Sequence, residues 1–273
     1  MKDNECIQFL QWALPGLTMR WQGFRKVRAQ VCRRVSRRMR ALGSPDIAAY
    51  RAVLAANPQE WAELDAMCRI TVSRFCRDRT VFDALGGKIL PELAGSALAR
   101  DERELRAWSA GCASGEEAYS LAIVWRLCVQ PSFPSLKLRI LATDSDPHML
   151  ERARRARFSA SSLKDMPRAW LAKAFIHTGN TFRLRASFRE SIAFVQQDIR
   201  STVPDGPFHL ILCRNLAFTY FAERLQDEIL ACITRQLIPG GVLVIGSHES
   251  LPPGHTRLAP WGRPPGIFRK AKV

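Results

Sequence analysis

Acidic residues are scarce in this sequence. The 273-residue chain has 25 aspartates and glutamates against 41 lysines and arginines, which gives a formal net charge of +16, and no acid lies between Cys6 and Pro45. Charge of one sign attracts partners of the opposite sign over long range and says nothing of the fold. We therefore expect an acidic partner, such as an acidic protein surface, nucleic acid or an anionic membrane.

Several other features are missing, and each absence argues against a class of protein. The eight cysteines form no C-x-x-C pair and no Cys/His cluster with metal-ligand spacing, which predicts reduced thiols and no metal. No apolar run reaches the roughly 20 residues of a membrane span, and Asp3 and Glu5 stand where a signal peptide is positively charged. We expect a monomeric cytoplasmic protein without membrane insertion.

Helical patterns fill the first third of the chain. The stretch "FRKVRAQVCRRVSRRMRALG", which begins at Phe24, spaces its apolar residues three and four apart, and Gly43 followed by Pro45 predicts its end. The other faces of this helix are rich in arginine, which in an ordinary charge run is only a solvated surface. Because no acid neutralises this run, we interpret it as a binding surface. The predicted contacts to the acidic partner are Arg33, Arg34, Arg37 and Arg38.

After the charged stretch "ARDERELR", short apolar strands alternate with helices. The strands are "LRAWSAG", "LKLRILATD", "IAFVQQD", "FHLILCRN" and "GVLVIGS". This alternation predicts an α/β domain with a parallel sheet, whose ligands bind at the carboxyl ends of the strands. Asp144, Asp198 and Asn215 follow three of these strands. We therefore predict a helical domain over residues 1–95 and a ligand-binding α/β domain over residues 96–273.

The first strand is followed by the turn "GCASGEE", which opens at Gly111 and ends in Glu116 and Glu117. Two carboxylates at a helix N-terminus would repel phosphate, and the turn lacks both the third glycine of G-x-G-x-x-G and the ending of a P-loop. Asp144, some thirty residues on, suits ribose hydroxyls. We expect a ligand with ribose but no phosphate, and S-adenosylmethionine fits. The helix dipole alone would explain one of the two glutamates.

Five segments together resemble the CheR family, the chemotaxis-receptor glutamate methyltransferases of bacteria. They are "CRITVSRFCRD", "WSAGCASGEEAYS", "ILATDSDPHMLERAR", "FHLILCRNLAFTYF" and "IPGGVLVIGSHES". The resemblance implies a Rossmann-like class I methyltransferase domain preceded by an all-helical domain, with a small β-subdomain inserted at about residues 176–195. It also implies S-adenosylmethionine as cofactor and the acidic helical bundle of a chemoreceptor as partner, facing the basic helix.

The same resemblance assigns roles to individual residues. The cofactor contacts that we predict are Thr71, Ser73, Arg77, Gly111, Glu116, Asp144, Asp198, Ile199, Asn215 and Leu216. Arg77 and Tyr220 are the predicted catalytic residues nearest the transferred methyl. "NLAFTYF" is one residue longer than the usual family segment, so that either Thr219 or Tyr220 takes the aromatic position, and we assign it to Tyr220.

The predicted reaction is methyl transfer to glutamate side chains, which needs no general base because a glutamate carboxylate is ionised at neutral pH. The loop in "IHTGNTFRLR" is shorter than in the family members that are tethered to a receptor tail, which argues against such tethering here. The segment "SHES", which includes Glu249, is either a channel cap or a plain loop. Two alternatives remain at this stage. One is a methyltransferase acting on nucleic acid, which the positive charge would suit. The other is a cofactor-binding scaffold without catalysis.

Overall fold

The computed structural model describes residues 2–272. The α-helices are α1 (Asp3–Ala13), α2 (Trp21–Phe24), α3 (Arg28–Ala41), α4 (Ile47–Ala56), α5 (Pro58–Cys68), α6 (Arg79–Ala84), α7 (Leu90–Leu98), α8 (Glu116–Val124), α9 (Pro147–Arg155), α10 (Arg168–Ala174), α11 (Ala217–Tyr220) and α12 (Glu223–Gln236). The strands are β1 (Glu104–Ala110), β2 (Lys137–Asp144), β3 (Arg157–Phe158), β4 (Phe175–Thr178), β5 (Thr181–Leu184), β6 (Ile192–Gln196), β7 (Phe208–Leu212), β8 (Leu237–Val244), β9 (Leu258–Pro260) and β10 (Ile267–Lys270).

The chain folds into two compact units. The first holds the chain up to Ile70 together with Leu216–Asp227, and the second holds Thr71–Asn215 and the chain from Glu228 onward. The sequence placed the domain boundary at residue 95, whereas the units divide at residue 70. The difference arises because α6 and α7 bury their apolar faces, including Phe82 and Leu93, in the core beneath β1 and α8.

The helical unit is built on the apolar stripe of α3. Val31, Val35 and Met39 of this stripe are buried, at the spacing that the sequence predicts. The helix begins at Arg28 rather than Phe24, because Phe24 belongs to the separate helix α2, where its ring packs against Tyr220 at 5.1 Å. At the start of α4, the Asp46 side chain accepts a hydrogen bond from a backbone N–H, as expected of an N-cap.

A disulfide joins α1 to α3 in this unit. Cys6 and Cys32 form a bond with their Cα atoms 5.9 Å apart, within the range that a disulfide requires. The prediction of reduced thiols is therefore wrong for this pair. The sequence could not reveal it, because two cysteines at a sequence separation of 26 give no pairing signal and only the packing of α1 on α3 brings them together.

The second unit is Rossmann-like, as predicted. Its seven-stranded sheet has the order β6-β2-β1-β7-β8-β10-β9, in which β6, β2, β1, β7 and β8 run parallel and β10 pairs antiparallel with both β8 and β9. The five strands read from the sequence are these five parallel strands. Their carboxyl ends therefore meet at one edge of the sheet, where parallel α/β folds bind ligands.

The inserted β-subdomain is a three-stranded sheet with the order β3-β5-β4. It spans residues 157–184, whereas the sequence placed it at about residues 176–195. The strand β6, which begins within the predicted range, pairs with β2 and belongs to the main sheet. Both β5 and β6 are short strands, of four and five residues, so that their assignment to a sheet depends on pairing rather than on composition.

Two backbone groups of the edge strand β6 are already bonded, one by an arginine side chain and one by the backbone turn that precedes the strand. The Arg154 guanidinium donates to the carbonyl of Phe194 at 2.9 Å, and the N–H of Ile192 donates to the carbonyl of Arg189 at 3.1 Å. At the opposite edge, β9 has only three residues. Across residues 2–272 no helix has the length and apolar character needed to span a membrane.

A buried ionic cluster stabilises the helical unit. Glu60, 2 % exposed, receives two hydrogen bonds from the Arg38 guanidinium, at 3.0 and 2.6 Å, and a third from the Tyr50 hydroxyl at 2.8 Å. The hydrogen bonds from Arg38 lower the pKa of Glu60, against the effect of burial. The guanidinium of Arg38 and the hydroxyl of Tyr50 thus compensate the buried charge of the Glu60 carboxylate.

We expect Glu60→Gln to lower the free energy of unfolding by about 1 to 3 kcal/mol at pH 7, because the amide cannot accept all three bonds. The folded-state pKa of Glu60 lies below its unfolded value, so the contribution is full above the unfolded pKa and is lost as the pH falls through the folded pKa. Urea unfolding at several pH values should show the difference shrinking in acid. Glu63→Gln, on the exposed face of the same helix, is the control; an equal loss from Glu63→Gln would contradict this account.

Candidate functional site

The turn between β1 and α8, residues 111–115, is held tightly to its neighbours. The N–H groups of Gly111 and Cys112 both donate to the carbonyl of Thr143, at 2.8 and 2.9 Å. Gly115 has a φ of +89°, and a Cβ atom there would lie 3.0 Å from the Cβ of Ala153. Glycine is required at this position both for the backbone conformation and for the close approach of α9.

Asp144, at the carboxyl end of β2, is fixed to the same turn. One of its carboxylate oxygens accepts the N–H of Ala113 at 2.8 Å, and the other accepts the N–H of Asp146 at 2.9 Å. Ala113 has a positive φ of 48°, a conformation that costs free energy for a residue with a Cβ. The carboxylate of Asp144 therefore holds the turn in its observed shape.

Glu116 is the first residue of α8 and is 2 % exposed. Its carboxylate accepts hydrogen bonds from the Ser114 hydroxyl, at 2.9 Å, and from the Ser73 side chain. Burial raises the pKa of Glu116, and these hydrogen bonds act in the opposite direction. The structure thus brings together Ser73 and Glu116, two residues predicted from the sequence as cofactor contacts.

Glu117, the second acid of the turn, has its own partner within the chain. One carboxylate oxygen accepts the Ser109 hydroxyl at 2.7 Å, and the other lies 3.2 Å from the Arg214 guanidinium. Burial raises the pKa of Glu117, and the positive charge of Arg214 opposes this. The two glutamates therefore differ, because the charge of Glu117 is compensated by an arginine whereas Glu116 is bonded to serine hydroxyls.

Sequence reasoning missed Arg214. Its side chain is 2 % exposed and, besides Glu117, bonds the Asp78 carboxylate at 2.7 Å and the carbonyl of Arg77 at 2.9 Å. A signal was present in the sequence, since a charged residue directly after an apolar strand must find an acid if it is buried. Arg214 therefore connects the end of β7, the first turn of α8 and the segment that carries Arg77.

Arg77 lies on this segment, next to Asn215. Its guanidinium donates to the carbonyl of Val72 at 3.1 Å and to the side-chain oxygen of Asn215 at 3.5 Å. These contacts use two of the five N–H donors that an arginine offers. The structure therefore places two more of the predicted residues together, at the carboxyl end of β7.

Glu249 fixes Asn215 in turn. A single carboxylate oxygen of Glu249 accepts the N–H of Asn215 at 2.8 Å and the N–H of Gly246 at 2.6 Å. A Cβ at Gly246 would lie 2.8 Å from this oxygen, so glycine is needed for the contact. From the sequence alone, "SHES" is either a channel cap or a plain loop. Its glutamate ties the loop after β8 to the end of β7.

The remaining predicted cofactor residues of this unit lie at its strand ends or in irregular segments. The Asp198 carboxylate, beyond β6, is paired with Arg200 at 2.7 Å, and the adjacent Ile199 is 7 % exposed. Thr71 lies half-buried in the irregular segment that precedes Ser73.

The other predicted residues belong to the helical unit. Leu216 and Tyr220 lie in or beside α11. Of the four arginines of α3, Arg34 donates to the carbonyls of Met67 and Arg69, and Arg38 bonds Glu60. Two side chains of the predicted binding surface are therefore occupied inside the unit, while Arg33 and Arg37 are exposed.

These features fit S-adenosylmethionine better than a phosphorylated ligand. Glu116 and Asp144 border a turn whose glycine leaves no room for a side chain, and acids at this place would repel phosphate. In the part of the chain that the structure describes, no three His, Cys, Asp or Glu side chains are grouped so as to hold a metal ion. The carboxylates of Glu116 and Asp144 therefore suit a ligand that carries both a ribose and a positive charge.

Comparison with known proteins gives matches over both units. The family described as "CheR methyltransferase, SAM binding domain" matches residues 71–261, and "CheR methyltransferase, all-alpha domain" matches residues 26–65. The chemotaxis protein methyltransferase of Listeria monocytogenes is 33 % identical over 189 residues, 69 % of each chain. That of Salmonella typhimurium is 32 % identical over 233 residues, which are 82 % of this chain and 76 % of the relative.

A third relative is much longer. An uncharacterised 104.1 kDa protein of Rhodobacter capsulatus is 32 % identical over 221 residues, and the match spans 81 % of this chain but only 23 % of that protein. Among solved structures, the N-methyltransferase NodS of Bradyrhizobium japonicum, in complex with S-adenosylhomocysteine, is 17 % identical over 60 % of each chain, with a TM-score of 0.33 that is too low to support an argument. The two family matches, which together cover most of the chain, show that it belongs to the CheR methyltransferase family, with an all-helical domain ahead of a methyltransferase domain whose cofactor is S-adenosylmethionine.

Proposed function

We propose that this protein methylates glutamate side chains of an acidic protein, the cytoplasmic helical bundle of a chemoreceptor. The observation that carries the proposal is the Arg77 guanidinium, held beside Asn215 at the carboxyl end of β7, in the same unit as the acidic turn. Two relatives that are named chemotaxis protein methyltransferases support the choice of substrate. The proposed substrate region is cytoplasmic, so the proposal places the protein in the cytoplasm.

Glu116 and Asp144 would hold the cofactor. Both carboxylates lie at the turn before α8, where they can accept hydrogen bonds from ribose hydroxyls or balance a positive charge. When bound, S-adenosylmethionine supplies a methyl group activated by a sulfonium to a carboxylate oxygen, and S-adenosylhomocysteine is released. Asn215 and Ser73 would complete the set, because the contacts with Glu249 and Glu116 already fix their positions.

Arg77 would orient the acceptor glutamate. A planar guanidinium can bind both oxygens of a carboxylate, and the contacts with Val72 and Asn215 hold its fork in one place. The acceptor is ionised at neutral pH, so no residue needs to remove a proton. Catalysis would then come mainly from holding the carboxylate in line with the methyl group, with Tyr220 lining its path by resemblance to the family.

The exposed arginines of α3 would contact the receptor. Arg33, Arg37 and Arg40 are exposed at spacings of four and three, so that they form one stripe along the helix. Arg34 and Arg38 would hold α3 in place through their bonds to the carbonyls of Met67 and Arg69 and to the carboxylate of Glu60.

In the β-subdomain, the β4–β5 hairpin closes with only two residues between its strands, which supports recognition without a receptor-tail tether. We propose that the protein acts as a monomer.

Asp144→Asn should weaken the binding of S-adenosylmethionine by about 1 to 3 kcal/mol, because the amide loses the charge and its single oxygen can replace only one of the two carboxylate oxygens that accept N–H bonds. Isothermal titration calorimetry measures this directly. Asp146→Asn is the matched control, since asparagine caps a helix as well as aspartate does. Equal affinities of Asp144→Asn and wild type would remove Asp144 from the cofactor site.

Arg77→Lys should lower kcat about 10- to 100-fold with little change in cofactor affinity, because lysine keeps the charge but loses the planar fork. The assay is transfer of labelled methyl from S-adenosylmethionine to a chemoreceptor cytoplasmic fragment, followed by mild alkali. A methyl ester releases volatile methanol, whereas an N-methyl group does not. Arg74→Lys, at a neighbouring arginine paired with Asp165, is the control. Label on the fragment that resists alkali would contradict methylation of a carboxylate.

Reversing the charge of Arg33 and Arg37 together to glutamate should slow association with the receptor fragment strongly at low salt and little at high salt, because steering between exposed charges is screened. Stopped-flow measurements over a range of ionic strength give the rates. Reversal of Arg257 and Arg263, two exposed arginines of the other unit, changes the net charge equally and is the control. If both double variants slow association alike, only net charge matters and α3 is not a docking surface.

A further inference from the structure

The segment that carries Tyr220 is held by the N-terminal helices. Leu216–Asp227 follows β7 along the chain, yet it groups with the helical unit and not with the sheet. Its helix α11 has only four residues, too few to keep a helical conformation by itself in water. Other parts of the helical unit must therefore fix the place of Tyr220.

Backbone pairing with residues 18–20 supplies the first constraint. The N–H of Arg20 donates to the carbonyl of Tyr220 at 2.8 Å, and the N–H of Ala222 donates to the carbonyl of Thr18 at 2.8 Å. Between them, Met19 and Phe221 form an isolated antiparallel bridge. The backbone directly after Tyr220 is thus paired as in a short two-stranded ribbon, although its partner lies some 200 residues earlier in the chain.

The Arg20 side chain supplies the second constraint. Its guanidinium donates to the carbonyl of Phe218 at 2.5 Å and to that of Thr219 at 3.2 Å. The last carbonyls of a helix have no partner within the helix and favour a cation, so Arg20 caps the C-terminus of α11. One planar fork therefore fixes two successive carbonyls immediately before Tyr220.

Gly23 and Phe24 of α2 complete the contact. A Cβ at Gly23 would lie 2.3 Å from the carbonyl oxygen of Thr219, so no side chain fits between α2 and α11. The Phe24 ring is fully buried and lies 5.1 Å from the Tyr220 ring, tilted by 56°. Such tilted aromatic pairs are favourable and limit the orientation of both rings.

We propose that Arg20 and Gly23 are positioning residues for methyl transfer, which set the place of Tyr220 from the helical unit. The inference rests on the proposed function, in which Tyr220 lies beside the transferred methyl group. It gives the helical unit a second role. The unit that presents Arg33 and Arg37 to the receptor also holds an aromatic residue of the reaction in place.

The kinetic test compares Arg20→Met and Gly23→Ala with wild type in the receptor-fragment assay. Methionine keeps the length of the arginine side chain but cannot donate, and the alanine Cβ must displace the Thr219 carbonyl while favouring the helical conformation of α2. Both variants should lower kcat about 10- to 100-fold, since small displacements in a positioned site have effects of this size. The KM for the fragment and the Kd for S-adenosylmethionine should stay within about twofold of wild type.

Arg25→Met is the matched control, because it removes an exposed arginine at the end of the same helix with the same change in charge. Its kcat should equal that of wild type. Arg20→Lys should restore part of the loss, since an ammonium group reaches one of the two carbonyls but lacks the fork.

Fluorine NMR tests the contact without any substrate. The chain has three tyrosines, so 3-fluorotyrosine gives three signals, and Tyr220→Phe identifies the one from Tyr220. Arg20→Met and Gly23→Ala should shift or broaden this signal. The signals of Tyr50 and Tyr119, which are buried in the cores of the two units, should stay in place and report that both units are folded.

An unmoved Tyr220 signal in both variants would overturn the inference, as would a kcat equal to that of Arg25→Met. Failure of the proposed function is a different result, in which wild-type protein itself transfers no alkali-labile methyl group to the receptor fragment. In that case the fluorine spectra still decide whether Arg20 and Gly23 fix Tyr220.

Discussion

The candidate site depends on the ion pairs and the hydrogen bond that the buried guanidinium of Arg214 makes. Its side chain is 2 % exposed and bonds Glu117, Asp78 and the carbonyl of Arg77. Removing one partner of such a group leaves a charge without compensation in the interior, which typically costs about 3 to 5 kcal/mol. Arg214 therefore joins the first turn of α8 and the segment before α6 to the end of β7. Asn215, the next residue, takes its position from this connection and from Glu249.

The sequence predicted the parallel strands and the acids at the turn because these features are local. A run of apolar residues with a polar residue at its end is visible in the chain, and so are Glu116 and Asp144. The hydrogen-bond partners that fix the polar groups of the site are not visible in the sequence. Arg214 is 97 residues from Glu117, and Arg20 is 198 residues from Phe218. Such contacts arise from the folded arrangement, and no spacing in the sequence encodes them.

The arginines of α3 show the same limit within a single helix. Arg33, Arg34, Arg37 and Arg38 are chemically identical and all flank the apolar stripe, so the sequence assigned them one role. In the structure, Arg34 and Arg38 lie one turn apart on the side that faces α5, while Arg33 and Arg37 are exposed. A rotation of about 100° per residue thus separates structural arginines from those open to a partner.

The edges of the main sheet have a consequence for how the molecule behaves in a crowded solution. An open edge strand presents unpaired backbone groups to which a strand of another chain can add, and such addition leads to aggregation. Here β6 has the Phe194 carbonyl covered by Arg154 and the Ile192 N–H bonded to Arg189, and β9 offers only three residues. Intermolecular strand addition is thereby disfavoured at both ends of the sheet. Arg154, through its bond to the edge of the sheet, thus helps to protect the chain against self-association.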